Sequence, residues 1–232
     1  MSTDRKISSI SIIIPTYNEA ENLSGLLPEL LGNPDVEILV VDGNSSDGTV
    51  NTATALGVKV LSIPPDRALQ MNAGAQAASS EILLFLHGDT RLPQGFTVKV
   101  HDILNQPGIV AGAFSLKIDG KGYGLRIIEM LVNFRSRFMQ LPYGDQGIFL
   151  KASMFSAVGG FPALPILEDF ELTRKLKHKG RIKILSQEAT TSARRWKKLG
   201  LLRTTFINQA VIIGYLLGVD PKKLAEWYRK ER

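Results

Sequence analysis

Residues 37–49 read EILVVDGNSSDGT, and this stretch decides the fold. Ile38 to Val41 are four consecutive apolar residues that stop at Asp42-Gly43. Without polar alternation, a strand here must be covered on both faces, which is the habit of a parallel sheet. Gly43 lets the chain turn sharply, and Ser46-Asp47-Gly48-Thr49 reads as a structural turn that caps the next helix. The pattern recurs in EILLFLHGDT, residues 81–90, whose apolar run gives way to Asp89. A further acid pair, Glu168-Asp169, stands in ALPILEDFELTRKL, residues 163–176. Ligands of open α/β sheets collect beyond the carboxyl ends of the strands. Carboxylates at that rim suggest a divalent cation holding a phosphorylated substrate, with one acid left as a base.

Around these runs the first half alternates strand and helix. Strands are predicted at Ile10–Ile14, Glu37–Val41, Val58–Ser62 and Ile82–Leu86. Helices follow each of the first three, the first with Asn18 as its cap and Leu23, Leu27, Leu30 and Leu31 as its stripe. Such alternation gives an α/β fold with helices on both faces of a mostly parallel sheet. The second half is less regular. Helices are expected at Gly95–Asn105, Leu125–Met139 and Asp169–Lys179, and strands at Ile109–Ile118 and Gly147–Leu150. Asp220 caps a last helix with Pro221 in its first position.

At 232 residues one large domain is expected. Its sections are a ligand-binding half at about 8–95, a second half at about 96–195, and C-terminal helices from about 196 to 232. The absence of cysteine excludes disulfides, a thiol nucleophile and thiolate metal sites. Only Ile10 to Ile14 are apolar near the N-terminus, so no leader is expected and a cytoplasmic location follows. The net charge of +6 is concentrated late in the chain. Aromatics are not interleaved with those charges, and no helix-turn-helix or zinc-finger spacing occurs, so nucleic acid is not an expected partner. Thr205–Val219 is apolar but shorter than the ~20 residues that span a bilayer. It reads as a helix packed on the domain or, with Lys197, Lys198 and Arg203, as a peripheral membrane contact.

The first strand ends in IIIPTYNEAEN, where a dinucleotide fold would carry a glycine fingerprint. Thr16, Tyr17 and Glu19 stand there instead, and suit the face and edges of a base. Asp42 suits a base imide or a ribose hydroxyl.

SIIIPTYNEAENL, EILVVDGNSSDGT, DRALQMNAGAQAA, LLFLHGDT and GGFPALPILEDFELTRKL together resemble the family 2 glycosyltransferases over roughly residues 10 to 180. The likeness is to a small, non-processive bacterial and cyanobacterial branch. It implies the GT-A fold, a Rossmann-like three-layer sandwich with a mixed, mostly parallel central sheet. It also implies inverting transfer of a sugar from a nucleotide-diphosphate donor, with UDP favoured. Thr16, Tyr17, Glu19 and Asp42 would hold the nucleoside, and Arg67 and Asn72 the base and diphosphate. Asp89 matches the last acid of the family's Asp-x-Asp element, which binds Mg²⁺ or Mn²⁺. Asp169 matches the base, with Glu168 beside it.

Two departures matter. His87 occupies the place of the first Asp-x-Asp acid, and is open to metal ligation, phosphate contact or simple packing. Ser192-Ala193-Arg194-Arg195-Trp196 keeps the Arg-Trp of the processive members' Gln-x-x-Arg-Trp but lacks its Gln. Arg195 would contact diphosphate and Trp196 the acceptor, or the run is a basic surface turn with a packed Trp. Tyr143-Gly144-Asp145-Gln146-Gly147 resembles an acceptor-side loop, with Asp145 and Gln146 as sugar contacts. Arg135 and Arg137 read as a solvated helix face, and His101 and His178 as solvated.

The acceptor stays unidentified; the basic, apolar stretch after Arg194 points to a lipid-linked one. Rival readings are a sugar nucleotidyltransferase and a non-catalytic sugar-nucleotide or membrane-surface binding protein. The first would want a Gly-rich basic loop where PTYNEAEN stands.

Overall fold

The apolar run that ends at Asp42 lies near one edge of an eight-stranded sheet, and both its faces are covered. The computed structural model describes residues 10–231; residues 1–9 and Arg232 lie outside the described residues, and with them part of the segment read for a leader. Strands are β1 (Ile10–Thr16), β2 (Val36–Asp42), β3 (Lys59–Ser62), β4 (Ile82–Phe85), β5 (Thr90–Arg91), β6 (Ile109–Asp119), β7 (Ile148–Lys151) and β8 (Arg181–Ser192). Their order is β3-β2-β1-β4-β7-β6-β8-β5. The first four run parallel, β7 is antiparallel to both β4 and β6, and β8 runs parallel to β6. Helices are α1 (Ala20–Leu31), α2 (Thr49–Ala55), α3 (Arg67–Ala77), α4 (Phe96–Leu104), α5 (Tyr123–Met139), α6 (Ala152–Ala157), α7 (Glu168–Lys177), α8 (Arg194–Leu199), α9 (Leu201–Leu216) and α10 (Pro221–Glu231).

Alternate residues of each strand feed two separate cores. Ile12, Ile14, Val40 and Leu84 pack with Leu23 and Leu27 of α1 and Val100 of α4. Ile13, Leu39, Val41 and Leu83 pack with Met71 of α3 and Leu172 and Leu176 of α7. That makes three layers, helix on sheet on helix, and explains the unbroken apolar runs. β1 has β2 on one side and β4 on the other, so the connections leave it in opposite directions. A crevice opens at the carboxyl ends of these strands.

Two expectations change. Asn18 does not cap α1: its backbone is left-handed (φ 55°), and its Oδ1 accepts from Ser46 N at 2.8 Å. The opening amides of the helix go instead to the next loop, Glu19 N to Thr49 Oγ1 (2.9 Å) and Ala20 N to Asp47 Oδ2 (3.1 Å). The loops after β1 and β2 are thereby stitched together. The twelve-residue β8 was not foreseen at all. Its inward-outward alternation slips at Ile184-Leu185, where the β6–β8 register shifts, and the sequence pattern blurs with it.

Among the described residues no helix is long and apolar enough to cross a membrane.

Candidate active site

After β4 the chain turns over the rim of the sheet. Leu86 N donates to Ile13 O (3.0 Å), and His87 and Asp89 then line a cleft of about 540 Å³. Ser192 N donates to Asp89 O (3.2 Å), so the end of β8 holds this loop from the other side. The Asp89 carboxylate makes no hydrogen bond or ion pair with the described residues.

The start of α7 lines the same cleft. Asp169 Oδ2 accepts from Gly144 N and Oδ1 from Phe170 N, both at 2.7 Å. Each oxygen keeps a second acceptor position, so the carboxylate is fixed in direction yet able to take a proton. Gly144 opens a tight 3-10 turn, Gly144–Gln146, threaded between these groups. A Cβ at this position would stand 2.7 Å from both Arg67 Nη2 and His87 Nε2.

Arg67, at the head of α3, ties the cluster together. Its Nε pairs with Glu168 Oε1 at 3.2 Å, and its Nη2 lies against His87 Nε2. A guanidinium can only donate, so in this contact His87 Nε2 is the accepting side. Burial raises the Glu168 carboxyl above its ordinary value, with Arg67 opposing and Asp169 adding to the rise. Burial alone would lower Arg67, but the carboxylates of Glu168 and Asp169 more than reverse this and raise it.

Behind Gly144 the structure differs from expectation. Arg135 is not solvated: its guanidinium lies 3.5 Å from the centre of the Tyr143 ring, and its Nε and Nη2 are buried. Arg137 reaches Ser115 Oγ at 2.9 Å. Gln146 is fully buried and holds Ser136 and Phe114 O, so it is an internal strut. His101 also turns one ring nitrogen inward, Nε2, which is buried; His178 is exposed as expected. Asp145 lines the cleft with Oδ1 buried and unpartnered. Burial pushes its carboxyl up to about 6, against the pull of Arg135 and with Asp169 adding. Burial likewise lifts Tyr143 to about 12.

The remaining wall is basic and comes from the C-terminal helices, which supply Arg194, Arg195, Lys198 and Arg229. Arg195 is oriented by Asn208 Oδ1 (3.0 Å) and by the Tyr228 ring, 4.8 Å from its guanidinium carbon. Tyr228 was not anticipated. Its signal is the helical spacing from buried Leu224, which turns both residues toward the domain.

Of the residues singled out from sequence, the cleft gathers Arg67, His87, Asp89, Glu168, Asp169 and Arg195. Thr16 and Asp42 end adjacent strands in register, outside the cleft. Asp42 is buried, accepting from Ser45 N (2.9 Å) and Thr16 Oγ1 (3.3 Å), while Tyr17 is 59% exposed. Glu19 joins this edge to the cleft: Arg194 Nη2 is 3.4 Å from its Oε1. Asn72 lies elsewhere, clamping the backbone of Phe161 through Nδ2 to O (2.9 Å) and N to Oδ1 (3.0 Å).

Among the described residues no three Asp, Glu or His side chains could cage a metal ion. The fit for Mg²⁺ or Mn²⁺ rests on Asp89. One unengaged carboxylate suffices when phosphate oxygens and water complete the shell.

The chain is 26% identical over 165 residues to an undecaprenyl-phosphate 4-deoxy-4-formamido-L-arabinose transferase of Sodalis glossinidius, covering 66% of this chain and 51% of the relative. It is 32% identical over 118 residues to a dolichol-phosphate mannosyltransferase of Pyrococcus furiosus, covering 47% and 34%. The chain thus spans about half the length of these curated relatives, or less. Among solved structures it is similar to the mannosyltransferase PcManGT of Pyrobaculum calidifontis, in complex with GDP-Man and Mn²⁺. The TM-score is 0.66 at 18% identity, covering 89% of this chain and 65% of that one. It is also similar to S. aureus TarS 1-349 in complex with UDP-GlcNAc, with a TM-score of 0.63, 19% identity, and coverage of 79% and 58%. The shared fold is GT-A. The model for "Glycosyl transferase family 2" matches residues 11–158, more than half of the chain, and the chain belongs to that family.

Proposed function

We propose that this protein is a metal-dependent, inverting, non-processive glycosyltransferase that moves a sugar from a nucleotide-diphosphate sugar to an acceptor hydroxyl. The observation that carries the reading is the meeting of Asp89, after β4, and Asp169, at the start of α7, in one polar cleft. Tyr17 offers an exposed ring for stacking on the base, and Asp42 keeps a lone pair for the ribose while it and Thr16 hold the loop. Glu19 joins that edge to the cleft, and Arg195 and Arg67 bring positive charge toward the diphosphate. Asp89 would hold Mg²⁺ or Mn²⁺, and the cation when bound offsets the negative charge growing on the departing diphosphate.

Asp169 takes the proton from the acceptor hydroxyl as that oxygen bonds to the anomeric carbon. The carbon–oxygen bond to diphosphate breaks on the opposite face, and the configuration inverts. Gly144 aims the base through its amide, while Arg67, paired with Glu168, sets positive charge near it. The named activities of the lipid-phosphate relatives, with the basic wall of the cleft, support a lipid-linked acceptor. The solved neighbours hold guanosine or uridine nucleotides, which supports the donor class; UDP is the base we favour.

Calorimetric titration of UDP and GDP, with and without Mn²⁺, tests this reading. Binding that needs the metal is expected. Absent or metal-independent binding would overturn it. A screen of nucleotide sugars for metal-stimulated hydrolysis then identifies the donor.

A further inference from the structure

We propose that α5, together with the exposed side of α9, forms a docking face for an anionic lipid surface. The proposal deepens the lipid-acceptor reading and extends the contact anticipated at residues 205–219 to a second helix. Its evidence is independent of the chemistry in the cleft.

Tyr123, Ile127, Met130, Leu131, Phe134 and Phe138 recur at helical spacing on one stripe of α5, and each is 53–92% exposed. The opposite side of the helix carries Leu125, Ile128 and Val132 into a small core with β6. A helix apolar on both sides is expected to be buried on both sides. On α9, Leu202, Phe206, Ile213 and Leu216 form a second exposed stripe. Among the described residues, thirteen of the eighteen large hydrophobic side chains that stand exposed fall in α5 or between Leu202 and Val219, so the apolar surface is concentrated and not scattered. The two helices also meet. A Cβ on Gly124 would come 2.5 Å from Leu201 Cδ1, and the next residues outward, Tyr123 and Leu202, are the most exposed large hydrophobic residues of each helix.

Charge identifies the occupant. Residues 194–219 contain five Arg or Lys and no Asp or Glu; Arg194 and Arg203 pair with Glu19 and Glu231, and the other three have no acid within ion-pair distance among the described residues. The one acid of α5, Glu129, is neutralised by Arg126 at 3.1 Å and accepts from Ile118 N. An apolar face rimmed by cations, Lys121, Lys197 and Lys198 among them, matches the headgroup boundary of an anionic bilayer. A second copy of the chain would set like charges against like. The face also adjoins the cleft, because α8 supplies Trp196, Lys198 and Leu199 to the cleft and leads directly into α9.

The test is sedimentation of the full chain with vesicles of phosphatidylcholine alone or with phosphatidylglycerol, in parallel with light scattering of the free protein. Sedimentation with the anionic vesicles, weakened by salt, is expected. Phe134→Glu with Phe138→Glu, and separately Leu202→Glu with Phe206→Glu, should each lower the bound fraction roughly tenfold or more. Circular dichroism should stay unchanged, and so should metal-dependent UDP binding. Failure to sediment overturns the proposal, as does sedimentation unaffected by the α5 pair. A dimer abolished by the same substitutions, with vesicles ignored, assigns the face to self-association and overturns it too. Because UDP binding is read separately, a failed donor site leaves this outcome legible.

Discussion

The amide of Gly144 lies 2.7 Å from Asp169 Oδ2, and the same glycine leaves no space for a methyl group between Arg67 and His87. Its backbone is not left-handed, so only the neighbours forbid a larger residue. Gly144→Ala should displace the turn by several tenths of an ångström and swing the carboxylate out of line. Transfer should fall by about 10²-fold, the order expected for such misplacement. The melting temperature should shift by only a few degrees, measured by scanning calorimetry.

Asp169→Asn removes the proton acceptor and keeps the shape. Transfer should drop by about 10²–10⁴-fold, while donor affinity measured by titration stays within a few-fold. Transfer near the wild-type rate would remove Asp169 from its assigned role. Asp89→Ala should instead abolish the Mn²⁺ stimulation of donor binding, and chelation with EDTA should do the same to the unmodified protein.

Arg67 is the counter-charge of a buried carboxylate. Arg67→Ala leaves Glu168 charged without a partner, and should lower stability in urea by about 1–3 kcal/mol, since part of the arginine stays in water. Glu168→Gln should cost less, because a neutral amide still accepts from Arg67. If the two substitutions cost the same, the pair does not act through charge.

Asp145 ties stability to pH. Its folded carboxyl, near 6, binds a proton more tightly than the unfolded one, near its ordinary 3.8. The contribution is therefore fully present below about pH 4 and is lost as pH rises through about 6. In metal-free protein, Asp145→Asn should flatten the fall in unfolding free energy between these limits, a change of at most about 3 kcal/mol. Urea titrations at pH 4, 5, 6 and 7 measure it.

The first half of the sheet was legible because Ile10–Ile14, Ile38–Val41 and Ile82–Leu86 must be buried on both faces, and a parallel sheet is what buries them. Asp89 and Asp169 were legible as acids where an apolar run ends or a helix starts. Asn18 misled because it has the right chemistry for a cap, while the capping oxygens come from Thr49 and Asp47, about thirty residues away. Arg135 misled for a related reason: helical spacing assigns a face, but only tertiary contact shows that Tyr143 waits there. In α5 the sequence carries apolar residues on two stripes, and only tertiary contact shows which one packs on β6 and which stays exposed.

The β5–β8 ladder has a consequence for where this unit ends. Thr90 and Arg91, directly after Asp89, pair with Thr191 and Thr190, and Ser192 grips Asp89 itself. The match to the family model stops at residue 158, but the sheet does not. A chain cut there would lose β8, and β5 would have no neighbour to pair with. The loop bearing Asp89 would then lose the grip of Ser192 and keep only its contacts on the other side, through Leu86 and His87 among them. The boundary of sequence likeness therefore falls inside a single cooperative unit, and a working fragment must run past Ser192.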